Sequence, residues 1–174
     1  MPNFRAISKL WENLITGWAL TGGMILLLVV AINISSIIGS VFLMPVPGDF
    51  ELTQIGVAVA IFCFLPYCQL HRTNVTAEIF TFWAKNKTIL VLQISASLIT
   101  LSFSILLMWR MFEGLLDQKK FDYTTTILQF PIWVAFVPIL ISLCLLSIAS
   151  MKTIMHDFSQ DRKFKNAIQS QEND

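Results

Sequence analysis

The chain has 174 residues, of which 55% are apolar and 13% charged, whereas an average soluble domain has roughly 45 to 50% apolar and about 25% charged residues. This composition is typical of a membrane protein, and the short polar segments leave no room for a separate soluble domain. The net charge of +1, without a long Lys/Arg block, also argues against a nucleic-acid-binding surface.

The uneven spread of charge predicts four membrane-spanning helices. None of the 12 basic and 11 acidic residues lies in four long runs, residues 13–48, 52–71, 88–109 and 123–151. Each run reaches the roughly 20 residues that a helix needs to cross the hydrocarbon core, and none alternates as barrel strands do. We therefore predict an all-α membrane protein. It forms one domain, residues 1–174, with spans at about 17–43, 51–70, 88–112 and 127–151 and a polar cytoplasmic tail at 157–174.

The basic residues predict that both termini lie inside. The loop after the first run has no Lys or Arg, and the loop after the third run has Lys119 and Lys120, with Arg110 at the end of that span. With both termini in the cytoplasm, the other nine basic residues lie inside, which satisfies the positive-inside rule.

Two further segments have the pattern of helices that lie in the membrane surface and contact lipid headgroups. Phe4, Ile7, Trp11 and Leu14 recur at helical spacing before the first span, which predicts an amphipathic in-plane helix there. A polar stripe opposite an apolar one predicts a cytoplasmic interfacial helix between spans two and three. An ordinary connecting helix is compatible with the same pattern. The residues of this second helix include Asn74, Glu78, Phe82, Trp83 and Lys85.

The spans lack the groups that membrane catalysis or ion transport needs. No ionisable residue lies near the middle of a span, where a charge costs several kcal/mol unless it is paired or hydrated. The three cysteines lie in apolar runs, where they act as small hydrophobes. We expect a chain that is not an enzyme and has no catalytic residue, metal site or cofactor of its own.

One alternative uses the two histidines. His71 and His156 lie at the inner ends of spans two and four, and four-helix membrane cytochromes hold haem iron between histidines of facing helices. A redox subunit of that kind is the second hypothesis. Both histidines lie next to polar segments, where a hydrated histidine is commoner.

Small residues in the spans predict close helix packing. Gly56 and Ala60 are four apart, which lets another helix approach closely. Packing within the chain explains most such pairs, but 14 Phe and 5 Trp leave a bulky outer surface that suits a large membrane partner. Glu51 would stabilise the start of the second span through the helix dipole or bond to another subunit. The predicted subunit interface comprises Glu51, Gln54, Gly56, Ala60, Pro131 and Trp133.

Charged residues of both signs lie at the outer ends of the spans. Arg110 and Glu113 are three apart and can pair on one helix face. A mixed-charge surface of this kind suits weak, salt-sensitive contacts with a soluble protein. The predicted docking surface comprises Asp49, Arg110, Glu113, Asp117, Lys119, Lys120 and Asp122.

Three segments of the chain are FELTQ (residues 50–54), NVTAE (residues 74–78) and TTTILQFPIW (residues 124–133). Their order and spacing resemble those of the small membrane subunit (DctQ type) of tripartite ATP-independent periplasmic (TRAP) transporters. FELTQ, residues 50–54, resembles the Glu that opens the second helix of that family. NVTAE, residues 74–78, resembles a His-Ile/Val-x-Val-Asp motif, with Asn74 in place of His and Glu78 in place of Asp. TTTILQFPIW, residues 124–133, resembles the Thr-rich approach to a Pro-x-Trp at the start of the last helix.

The resemblance implies a role within a larger transporter of the bacterial inner membrane. A large multi-span subunit would hold the substrate and Na⁺ sites and work as an elevator. A periplasmic substrate-binding protein would deliver an organic acid, such as a dicarboxylate or sialic acid. The small chain would extend the static scaffold of the large subunit and help to dock the binding protein.

Overall fold

The structure is a computed structural model that describes residues 2–44, 46–71 and 86–171. Apart from an isolated antiparallel bridge between Thr124 and Pro131, the regular structure in these ranges is helical. The prediction of an all-α chain is therefore confirmed. The four helices are α1 (Pro2–Val41), α2 (Asp49–Leu70), α3 (Asn86–Lys120) and α4 (Trp133–Gln171).

Each helix contains a stretch that is long and apolar enough to cross a membrane, so the prediction of four spanning helices is confirmed. The chain is a multi-pass membrane protein. The orientation of its termini, predicted from the basic residues, stays a prediction. The four stretches are Leu10–Val41, Asp49–Leu70, Leu92–Lys120 and Trp133–Met155.

The leader does not form a helix of its own. α1 runs unbroken from Pro2 to Val41, where the sequence predicts an in-plane helix followed by a span, so the separate in-plane helix is not confirmed. No proline follows Pro2 before the end of α1, and the backbone hydrogen bonds therefore continue through the leader. The second predicted interfacial helix, with Asn74, Glu78, Phe82, Trp83 and Lys85, lies outside the described residues.

The helices pack so that α2 and α4 are central and α1 and α3 lie at the flanks. α1 packs on α2, α2 on α4, and α4 on α3. A core cluster joins the two central helices through Val59 and Cys63 of α2 and Ile139, Leu143 and Leu146 of α4. Many large apolar side chains of α1 and α3 are exposed as a result.

Neutral hydrogen bonds connect the helices inside this packing. The Trp18 indole N–H of α1 donates to Ser142 Oγ of α4 over 2.8 Å. Ser104 Oγ of α3 donates to the Leu143 carbonyl over 2.9 Å. Such bonds and close backbone contact hold helices together in lipid, where the hydrophobic effect between helices is absent. Trp18, Ser104 and Ser142 therefore serve helix packing.

Two glycines allow α1 and α2 to approach closely. A Cβ atom on Gly22 would lie 2.7 Å from Cys63 Cβ, and one on Gly56 would overlap Cγ2 of Val29. Any larger side chain at Gly56 must push the two helices apart. The small-residue pattern around Gly56 therefore serves a contact within the chain.

Candidate functional site

The loop between α3 and α4 folds onto the N-terminus of α2 and is held there by Glu51. The two carboxylate oxygens of Glu51 accept hydrogen bonds from the backbone N–H groups of Ile127, over 2.9 Å, and Leu128, over 3.1 Å. Hydrogen bonds to an ionised carboxylate are stronger than neutral ones. Glu51 thus makes a contact within the chain that neither of its two predicted roles described, although its first-turn position also suits the helix dipole.

Gly48 makes room for this loop. Its φ is +79°, and a Cβ atom there would lie 2.5 Å from Leu128 Cγ. Any other residue would combine an unfavourable left-handed backbone with a clash. Gly48 therefore lets Leu128 pack directly against the start of α2.

The loop is also ordered by its own hydrogen bonds. The Thr125 N–H donates to the Phe130 carbonyl over 3.0 Å, and the Phe130 N–H donates to Thr125 Oγ1 over 3.0 Å. Asp122 and Gln129 adopt left-handed φ angles of 46° and 51°, which reverse the chain direction. We call Gly48, Glu51 and residues 123–132 the outer clasp, where "outer" denotes the side of the chain that the basic residues predict to face away from the cytoplasm.

The outer ends of α1 and α2 are joined by polar side chains. Asn33 Nδ2 donates to Thr53 Oγ1 over 2.7 Å, and Ser36 Oγ donates to Asp49 Oδ2. The Asp49 carboxylate, predicted as part of a docking surface, is therefore already bonded within the chain. The bond from Ser36 connects α1 to α2, and the other carboxylate oxygen accepts a hydrogen bond from the N–H of Phe50.

The other predicted interface residues lie in different environments. Gln54 is exposed, Pro131 and Trp133 are half-buried, and Ala60 is fully buried. Because Ala60 is inaccessible and Gly56 packs on α1, we leave both out of the partner surface proposed below. An interface that involves the remaining residues stays a prediction.

Most of the predicted docking residues lie along the outer part of α3. Arg110 Nη1 and Glu113 Oε2 form an ion pair at 3.2 Å, so the predicted pairing is confirmed. Lys119 Nζ lies 5.8 Å from the ring centroid of Trp133, within cation–π distance. Lys120 has a similar contact with Phe121, at 5.6 Å, and Asp117 and Asp122 are exposed.

The two histidines are not brought together by any contact in the described residues. The His71 ring is exposed and stacks on Tyr67, with 4.1 Å between the centroids. The side chain of His156 lies outside the described part of the structure. The haem hypothesis therefore gains no geometric support.

The sequence did not predict several contacts at the outer end, namely those of Gly48, Thr53 and Leu128. The one local signal was a glycine directly before Asp49, next to the FELTQ segment. The carboxylate oxygens of Glu51 accept hydrogen bonds from backbone N–H groups. Because almost every residue has a backbone N–H group, the sequence could not indicate which residues donate.

Comparison with known proteins assigns the family. A family model described as "Tripartite ATP-independent periplasmic transporters, DctQ component" matches residues 26–160. This range includes all of α2 and α3 and the outer clasp. Neither the curated proteins nor the solved structures give a match. Because the family model covers most of the chain, the chain belongs to the DctQ component family of tripartite ATP-independent periplasmic transporters.

Proposed function

We propose that this chain is the small, non-catalytic permease subunit of a sodium-coupled secondary transporter that imports an organic acid across the bacterial inner membrane. The family match over residues 26–160 carries this proposal. The tripartite family implies two partners, which are a large membrane subunit and a periplasmic substrate-binding protein. The substrate and Na⁺ sites would lie on those partners.

The arrangement of the helices supports a scaffold role. The buried hydroxyls of Ser104 and Ser142 take part in hydrogen bonds between helices, which favours a rigid unit. Exposed apolar side chains on α1 and α3 offer broad surfaces to lipid and to a membrane partner. The small subunit would brace the static part of the large subunit while the mobile part carries the substrate.

The outer face of the chain offers a place for the binding protein. Asp117, Lys119, Lys120 and Asp122 lie next to the outer clasp, whose loop is fixed by Glu51. An ordered platform with charges of both signs suits a transient, electrostatically guided contact. In our proposal these four residues form the docking surface.

The double variant Lys119→Glu/Lys120→Glu tests this surface. We expect the Kd for the substrate-binding protein to rise about three- to tenfold at low ionic strength and much less at high ionic strength, because salt screens exposed charges. The measurement is a binding titration of the purified binding protein against the membrane complex in nanodiscs. Lys119→Arg/Lys120→Arg is the control, with binding close to wild type. The same affinity and salt dependence in the charge-reversed variant would place the docking surface elsewhere.

Uptake into proteoliposomes tests the proposed function as a whole. The large subunit, the binding protein and a Na⁺ gradient would be combined with or without the small chain. The substrate would be the organic acid that the binding protein retains. We expect uptake only when the small chain is present. Full uptake without it would contradict an essential subunit role.

A further inference from the structure

The exposed Arg110–Glu113 ion pair lies inward of the outer end of α4. Within three residues of Arg110, Leu107, Met108 and Met111 of α3 pack against the core cluster. Six residues before Arg110, Ser104 donates a hydrogen bond to the carbonyl of Leu143, which is ten residues after Trp133 at the start of α4. The backbone around Arg110 therefore lies next to the core of the membrane domain.

A second contact fixes the depth relative to α4. A Cβ atom on Gly114 would lie 3.1 Å from Cε1 of Phe136, and Phe136 is three residues after the first residue of α4, Trp133. Glu113 thus lies about 5 Å, and Arg110 about 10 Å, inward from the outer end of α4. The charge-free run of α3, which ends at Trp109, therefore ends inward of the first residue of α4.

The ion pair faces away from the rest of the chain. The side chains of Arg110 and Glu113 are 81% and 46% exposed. The same helix face continues inward at helical spacing through exposed Ile99, Phe103 and Leu106. With Arg110 and Glu113, these residues form the exposed stripe of α3. The Arg110 side chain already extends one helical turn outward, where its guanidinium group meets Glu113. The ion pair therefore lies level with Phe136 even after the long side chain has extended toward the membrane surface.

Acyl chains are a poor environment for the charged end of this stripe, Arg110 and Glu113. They offer no hydrogen bonds, and a charged side chain at membrane depth costs several kcal/mol unless protein or water surrounds it. By contrast, the exposed side of α1 lies in the charge-free run 13–48, with Leu27 and Leu28 among its exposed residues. That side suits lipid.

We propose that the exposed stripe of α3 is the surface that binds the large membrane subunit. This inference rests on the proposed function and adds which helix makes the contact. The matching surface would be apolar opposite Phe103 and Leu106 and would carry hydrogen-bonding or charged groups opposite Arg110 and Glu113. A second copy of this chain fits less well. A two-fold axis along the membrane normal would place Arg110 opposite its own copy at the same depth.

Photocrosslinking in the intact complex tests this assignment. A photoreactive phenylalanine would replace Leu106 on α3 or, as the matched control, Leu27 on α1, both of which are exposed. We expect a crosslink to the large subunit from position 106 and none from position 27. A crosslink from position 27 alone, or from neither position in an intact complex, would overturn the α3 assignment and leave the proposed function standing. A crosslink from position 106 only to a second copy would also overturn it. If no complex forms at all, both the α3 assignment and the proposed function fail.

The apolar double variant Arg110→Leu/Glu113→Leu gives a second test. If the large subunit covers the stripe, we expect about a tenfold loss of co-purified large subunit at equal amounts of the small chain, because polar partner groups are left unpaired. If lipid covers the stripe, the same change removes an unfavourable ion pair from hydrocarbon. Complex yield would then be unchanged or higher, which would overturn the proposal. Trp109→Leu, on another face of the same helix, is the control.

Discussion

Gly56→Leu is expected to lower the stability of the chain by about 3 kcal/mol, which corresponds to a drop in Tm of roughly 10 °C. A Cβ atom at this position already overlaps Val29 Cγ2, so the added side chain must push α1 away from α2. The separation would also break the hydrogen bond from Asn33 to Thr53, 2.7 Å long in the structure. Thermal unfolding of the purified chain in detergent, followed by intrinsic fluorescence or aggregation, measures the change.

Gly17→Leu is the matched control for this variant. Gly17 lies in α1, and a Cβ atom there would meet nothing within 4 Å. We expect its Tm to stay close to wild type or to rise slightly, because leucine favours helix more than glycine does. If both leucine variants melt at the same temperature, the close approach of α1 and α2 at Gly56 does not exist in the folded protein.

Glu51→Ala is expected to release the loop of the outer clasp. The variant removes both acceptors of the Ile127 and Leu128 N–H groups and leaves the packing of Leu128 on Gly48 as a contact between the loop and α2. We expect hydrogen exchange of a peptide that covers residues 121–132 to quicken on the order of tenfold in the assembled complex. Mass spectrometry of the chain in nanodiscs measures this exchange. Because the loop lies next to the proposed docking surface, binding of the substrate-binding protein should weaken as well.

Two controls separate the roles of Glu51. Glu51→Gln keeps one carbonyl acceptor, so we expect an intermediate exchange rate. Glu113→Ala removes an exposed carboxylate from α3 and should leave exchange in the loop unchanged. If Glu51→Ala leaves the loop protected but abolishes assembly with the large subunit, the carboxylate bonds to the other subunit and the clasp has no structural role.

The number of spans could be predicted from the sequence because it depends on a local property. Each of the four segments contains a run of residues without charges, and a helix formed by that run is long enough to cross the bilayer. This can be seen in each segment by itself. The pairing of Arg110 with Glu113 could be predicted for the same reason, since residues three apart on a helix are neighbours. Neither inference needs to know how the helices are arranged.

The contacts between distant segments could not be predicted. The depth of Arg110 depends on how α3 is placed against α4, which Gly114 and Phe136 determine across the interface. The residue at which the charge-free run ends in the sequence does not reveal how deep Arg110 lies relative to α4. The amphipathic leader has a pattern that fits an in-plane helix and an extension of the span equally well. Only the structure shows that the leader and the first span form one continuous helix.

Co-purification tests the subunit assignment most directly. The tagged chain would be co-expressed with the large membrane subunit from the same genome and isolated in lipid nanodiscs. We predict that the two chains elute as one complex and that the small chain expressed alone is recovered in smaller amount and as a mixture of species. A small chain that is stable and monodisperse alone, and that never elutes with the large subunit, would contradict the assignment.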